Sequence, residues 1–434
     1  MEWQDILMLD LGLLIALMVI GVPIAFAFLA VNLVCVVILV GPKGVLLVNN
    51  SMMDLVSSFS LAALPLFVLM GSILSESNAI AILFDAIDKW IGRVRARLHV
   101  IAVIVATIFA AIGGSNIASV AMLGGSIYPE MNRRGYDRKL GAAAICGGAS
   151  LAPIIPPSNL AIILAMLANV SIAQLLISGI VPGILISALI LGYVLLRVRL
   201  NPKLAPVYEV AAHTWGDKFR GLAKALPFSL LIFLVIGTVM IGIATPTEAA
   251  AMAVLGALVI AFAFGRLSWR LVGRSINDTM KVSAMVLLVM AAASAFSQLL
   301  GLSGAARGIV EVINEFDLPP AGMLFLMHLI PFLLCLFMDQ IAVMMILTPI
   351  YLPIVAALNF DPVWFWCTML VNVTIGAITP PFGYVLFTMK GVTSDLSLQD
   401  LYKAILPFVG ILLLGLVLVI VFPGLATWLP GLMS

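Results

Sequence analysis

An all-α, multi-pass membrane fold is the expectation for this chain, and three observations set it. Of its 434 residues, 63% are hydrophobic and only 10% are charged, where a water-soluble globular domain carries roughly 25% charged residues. Apolar runs long enough to cross a bilayer, which takes about 20 residues, recur from 7–40 to 412–425, so nearly the whole length is embedded as one integrated domain. These runs exceed the roughly 9 to 11 residues of a tilted barrel strand, and backbone in lipid must satisfy its own hydrogen bonds, so the spans are helical.

The net charge is +2 and no Lys/Arg-rich block is present, which argues against nucleic acid as a partner. Cys35, Cys146, Cys335 and Cys367 lie inside apolar segments without metal-type spacing, so they read as packing residues rather than a disulfide framework or a zinc site. The first residues, Met1 to Asp5, are acidic where a secretory signal is basic, so the first apolar run is expected to stay as a helix.

With the N-terminus outside, helices are expected near 6–21, 24–41 and 59–75, followed by an amphipathic stretch at 79–92 in the inner interface. Asp85, Asp88 and Lys89 read as the solvated face of that stretch, and Glu311 and Glu315 as that of its mirror. The mirror follows from an internal repeat. At an offset of 224 residues, the separation of Ser115 from Asp339, eight identities fall within 115–159, and three of them are prolines: Pro129 on Pro353, Pro156 on Pro380 and Pro157 on Pro381. Prolines do not align by hydrophobicity alone. With one-residue shifts, Pro23 meets Pro246 and Pro182 meets Pro407, so the correspondence covers residues 1–200 and 225–434, joined by a cytoplasmic linker at 201–224.

Cytoplasmic loops carry the excess of Lys and Arg. The loop 132–139 holds Arg133, Arg134, Arg138 and Lys139, whereas its counterpart 356–363 holds no basic residue, so the two copies are inverted. The same rule puts Arg93, Arg95, Arg97, Arg197, Arg199, Arg266, Arg270 and Arg274 inside, with Glu311, Glu315 and Asp317 outside. Residues 98–132 then leave and return to the same side, as a re-entrant hairpin with its tip at Gly113–Asn116. Residues 320–356 form the mirror hairpin, with its tip at Met338, Asp339 and Gln340. A helix broken in its middle follows each hairpin, at 153–159 and at 378–383.

Paired prolines remove donors and leave carbonyls without helical partners. Paired broken helices at matching positions of inverted repeats mark a transporter's binding site. Two cation sites follow. In the first, glycines such as Gly114 let backbone approach, Ser115, Asn116 and Ser150 offer side-chain oxygens, and Ile155 and Pro156 mark the break. In the second, Asp339, Gln340, Thr374 and Thr379 supply side-chain oxygens beside Met338 and Pro380. A carboxylate such as Asp339 at membrane depth costs about 2.5 to 3.5 kcal/mol on the insertion scale and calls for a partner. A coupling cation fits that need, and a capping acid is the plainer alternative. Glu248, just after Pro246, reads as a helix-start acid. His99, His213 and His328 share no spacing and read as interface or loop residues rather than proton relays.

These residues resemble the large membrane subunit of tripartite ATP-independent periplasmic (TRAP) transporters, within the wider ion-transporter superfamily. The resemblance covers essentially the whole chain. It rests on 21–26 (GVPIAF), Pro129–Met131 with Arg134–Asp137, 154–158 (IIPPS), 242–250 (GIATPTEAA) and 379–383 (TPPFG). It implies an elevator-type sodium symporter for an organic acid, carboxylate or sulfonate, in a bacterial inner membrane. It also implies a soluble periplasmic substrate-binding protein and a small four-helix membrane subunit as partners. The moving transport domain would be about 98–168 plus 320–390, and the rest scaffold. One family-like sodium site falls on Ser115, Asn116 and the carbonyls before Pro156, and the other on Asp339, Gln340 and Thr379. The substrate would lie near Asn116, Ser158, Asn159 and Gln340, its charge met by sodium and helix ends, because no Arg or Lys is expected in the cavity. A stand-alone sodium/divalent-anion symporter of the same superfamily is the alternative. An enzyme is disfavoured by the lack of HExxH or a nucleophile–base set, and a nucleotide-driven pump by the lack of a Walker A loop.

Overall fold

The computed structural model describes residues 3–77, 79–91, 94–206, 214–315 and 318–433, and among these all regular secondary structure is helical. Arg93, His213, Asp317 and the linker residues 207–213 lie outside the described residues. The chain opens with α1 (Trp3–Val19) and α2 (Ile24–Val40), which pack together across a turn at Gly21 and Pro23. Next comes α3 (Val45–Val56), then α4 (Ala63–Glu76) and the amphipathic α5 (Ala79–Trp90). The α3 helix is an addition to the expected set, because Asn49, Asn50, Ser51 and Asp54 break its apolar pattern.

A helical pair follows, α6 (Arg97–Gly113) and α7 (Asn116–Arg133), then α8 (Arg138–Ala149), an interruption at 150–158, α9 (Asn159–Leu167), α10 (Ile172–Ser178) and α11 (Ile180–Leu200). The interruption starts three residues before its expected place. The chain continues with α12 (Trp215–Met240), which begins inside the stretch read as linker, α13 (Pro246–Ala263) and the 34-residue α14 (Trp269–Leu302). Arg270, Arg274, Asp278 and Lys281 mask α14 as an apolar run. Then come α15 (Ala305–Glu315), the pair α16 (Pro320–Leu334) and α17 (Gln340–Ala357), α18 (Pro362–Ile378), an interruption at 379–383, α19 (Tyr384–Val392), α20 (Leu398–Val421) and α21 (Gly424–Gly431). Among the described residues, seven helical stretches are long and apolar enough to cross a membrane.

Several residues aligned at the 224 offset do the same local work. Ser115 caps α7 and Asp339 caps α17, Asp137 caps α8 and Asp361 caps α18, and Pro129 and Pro353 sit inside α7 and α17. Pro156–Pro157 and Pro380–Pro381 are both cis. At the start of α13, Thr245 and Glu248 form a reciprocal capping box, the role expected of Glu248.

One buried apolar cluster runs through α2, α4, α13 and α14 into α9, α17 and α18, and another through α6, α7, α8, α11 and α20. The packing crosses between halves: α19 lies on α7 and α8, and α9 lies on α17 and α18. Polar ties reinforce this. Asp395, after α19, accepts from Tyr128 (2.8 Å) and Asn132 (3.0 Å) on α7, and Lys139 on α8 pairs with Asp400 at 2.6 Å.

Three expectations need correction. His99 and His328 are interior residues of α6 and α16, not loop residues. His328 bridges the Leu324 carbonyl (2.8 Å) and the Thr368 hydroxyl (3.0 Å). Asp88 is not simply solvated, since its carboxylate takes Nε of the buried Arg97 at 2.8 Å. Lys89 and Asp85 pair with each other at 2.6 Å. The four cysteines are free and buried, as packing residues should be.

Candidate binding site at the helix tips and breaks

The α6–α7 connection is two residues long, which forces Gly114 into the left-handed region (φ 58°) that glycine tolerates. A Cβ on Gly114 would lie 2.6 Å from Nδ2 of Asn159, so the missing side chain is what lets the start of α9 approach this tip. Ser115 accepts the Ala118 amide at 3.2 Å as the cap of α7. The buried Asn116 accepts the Ile117 amide through Oδ1 and donates through Nδ2 to the Tyr384 hydroxyl at 2.9 Å. The first tip therefore touches the residue after the first break and the residue after the second.

Around the first break, Ser158 caps α9 and donates to the Pro153 carbonyl at 2.7 Å. Ile155 packs against Gly183 of α11. Ser150 closes α8 with its hydroxyl on the Gly147 carbonyl at 2.8 Å. In the second half, Thr374 and Thr379 donate to the carbonyls four residues earlier, at 2.8 and 2.6 Å. Each of these hydroxyls spends its proton on backbone and keeps oxygen lone pairs. Tyr402 of α20 donates to the Pro381 carbonyl and braces the break from behind.

Asp339 accepts the Ile341 amide at 2.9 Å, with the amides of Gln340 and Ala342 beside it, so the capping role is real, and it lines a groove next to Met338. It lies within electrostatic reach of Tyr384 and Cys335. Gln340 is buried. The amide oxygens of Gln340 and Asn159 are buried without a hydrogen-bond partner, a costly state for polar groups unless a ligand meets them.

The site thus brings together Gly114, Asn116, Asn159 and Tyr384, with Asp339 nearby, while Ser150 and Thr374 bond within their own helices. Helices α7, α9 and α19 begin at this junction, each with the partial positive charge of a helix N-terminus. Ser158 and Ser115 cap two of them, whereas α19 has no side-chain cap. Anions are welcome at such ends without any Arg or Lys, and the freed carbonyls of the breaks suit a hard cation.

Sequence reasoning passed over Tyr384 and Asp10. Tyr384 follows Gly383 with no local signal of its contact 268 residues away. Asp10 was readable, as a carboxylate in the middle of the first span. It is fully buried, and the partner its carboxylate meets is the Cys35 thiol.

A family model described as the tripartite ATP-independent periplasmic transporter, DctM component, matches residues 11–425. The chain belongs to the DctM family. A C4-dicarboxylate TRAP transporter large permease of Pseudomonas aeruginosa is 32% identical over 396 residues, 91% of this chain and 92% of the relative. An isethionate TRAP transporter permease, DctMQ, of Oleidesulfovibrio alaskensis is 28% identical over 431 residues, 99% of this chain but 67% of that longer protein. The crystal structure of the Alcanivorax borkumensis YdaH transporter shares the fold, with a TM-score of 0.66 at 16% identity over 90% of both chains. As a DctM-family member the chain is a transporter component and not an enzyme. Its helical spans belong in the inner membrane, since outer-membrane proteins span as closed barrels.

Proposed function

We propose that this chain is the permease of a sodium-driven, elevator-type uptake system for a small organic acid, carboxylate or sulfonate. A periplasmic substrate-binding protein delivers the solute, and a small four-helix membrane subunit braces the scaffold. The observation that carries the reading is the hydrogen bond from Asn116 to Tyr384, which joins the α6–α7 tip to the segment after the second break. Ions held at one half are thereby in contact with structure from the other. Two inverted repeats with re-entrant hairpins account for the paired caps, prolines and breaks at the 224 offset. The transport domain is about 98–168 plus 320–390.

One sodium ion sits at Gly114, Ser115, Asn116, Ser150 and the carbonyls around Ile155 and Pro156. Another sits at Met338, Asp339, Gln340, Thr374, Thr379 and Pro380. The substrate lies between them, against Asn116, Ser158, Asn159 and Gln340, and the orphaned amide oxygens of Asn159 and Gln340 support that assignment. Its negative charge is met by sodium and by the N-termini of α7, α9 and α19. Family membership favours this tripartite reading over a stand-alone symporter, and the extra third of the DctMQ relative supports a second membrane component.

The test is uptake into proteoliposomes, with the cognate binding protein and an imposed inward sodium gradient. Uptake is expected to require sodium and to be lost in Asp339→Ala with expression intact. Uptake without sodium, or full activity of the variant, would sink the mechanism.

A further inference from the structure

A groove of about 720 Å3 runs between the α1–α2 turn, the middle of α14 and the α16–α17 connection. Its walls are hydrocarbon and thioether, including Met18, Phe26, Met285 and Phe337, and among the described residues Asp339 is the one charged residue lining it. The Asp339 carboxylate caps α17 through the Ile341 amide, has the backbone amides of Gln340 and Ala342 beside it, and borders the groove from that helix start. The volume falls within the roughly 300 to 1,000 Å3 typical of small-molecule sites.

The chemistry of such a site is restrictive. An anion is repelled by Asp339. A neutral hydrocarbon gains from the walls but nothing from the carboxylate, and a small hydrated cation gains nothing from the walls. A cation whose charge is shielded by aryl or alkyl groups uses both, because it brings its charge to a carboxylate in a poorly hydrated place at little desolvation cost. We propose that this groove binds lipophilic monocations, quaternary phosphonium or ammonium compounds with bulky apolar bodies. The inference rests on the reading of Asp339 as an ionised cation ligand. A bound cation of this kind touches both α1–α14 and the α16–α17 tip, the two groups of elements that elevator motion moves past one another, so it is an inhibitor site.

The experiment is binding of radiolabelled tetraphenylphosphonium to the purified chain in nanodiscs, read by scintillation proximity. Saturable binding is expected. It should weaken about tenfold or more in Asp339→Asn, the scale of losing a charge partner in a desolvated site, and persist in Asp339→Glu. Met285→Trp, which narrows the groove from α14, should weaken it as well, and uncharged tetraphenylsilane should not compete. Undiminished binding in Asp339→Asn, or equal competition by the silane, overturns the proposal. Sodium separates the two readings. If binding depends on Asp339 but sodium leaves it unchanged, the groove stands and the sodium assignment at Asp339 fails. If Asp339→Asn abolishes sodium-driven uptake yet retains phosphonium binding, the groove fails and the sodium assignment stands.

Discussion

Tyr384 is the side chain through which the tip of one half meets the break of the other, and it is reached by a single donor, Nδ2 of Asn116. Tyr384→Phe removes the acceptor and keeps the ring. A buried donor left without its partner costs about 1 kcal/mol, so the apparent KM for uptake is expected to rise about fivefold, with the unfolding temperature nearly unchanged. Wild-type kinetics in this variant would mean that the contact does not shape the site. Ser115 reads from sequence only as a cation ligand, but other residues with local duties were legible beforehand: Asp339 stands where a capping acid is needed, and Glu248 stands at a helix start just after Pro246. Tyr384 was not, because its partner is distant in sequence and nothing in its neighbours announces it.

Among the elements, α5 shows how an amphipathic pattern can mislead. Its polar residues read as a solvated face, yet Asp88 reaches the buried Arg97 at the start of α6 and ties the two helices together. A second contact, from Nη2 of Arg97 to the Asp88 carbonyl at 2.6 Å, fixes the geometry. Asp88→Ala strands a buried guanidinium and is expected to cost about 3 kcal/mol, seen as a lower unfolding temperature of the solubilised protein. Adding Arg97→Met should restore part of the loss, because the remaining charge is then gone. An unchanged single variant, or a double variant less stable than the single, contradicts this account. The broken helices were visible because paired prolines are unambiguous, while α3 and the first turns of α14 were hidden by polar and charged residues that tertiary packing tolerates.

For the molecule as a whole, the 224-residue offset pairs caps, prolines and breaks of the two halves, but it does not say which element rests on which. Gly71 of α4 lies against Gly113 at the end of α6 so closely that a Cβ would sit 2.8 Å from the Gly113 carbonyl oxygen. Under the elevator reading this is a contact between scaffold and moving domain. Gly71→Val is expected to cut uptake about tenfold by excluding this arrangement, a shift of about 1.4 kcal/mol between states. Gly192→Val, at a glycine with open space around it, should leave uptake intact. Equal rates in both variants would show that the close approach is incidental. The exchange of partners between halves, α19 on α7 and α9 on α17, also bears on how the chain is made. During synthesis from the N-terminus, α7 cannot complete its packing until α19 has been inserted, some 250 residues later. The first half therefore waits in the bilayer as an unfinished body. Severing the chain in the 201–214 linker should yield two fragments that are each degraded alone and protected when made together.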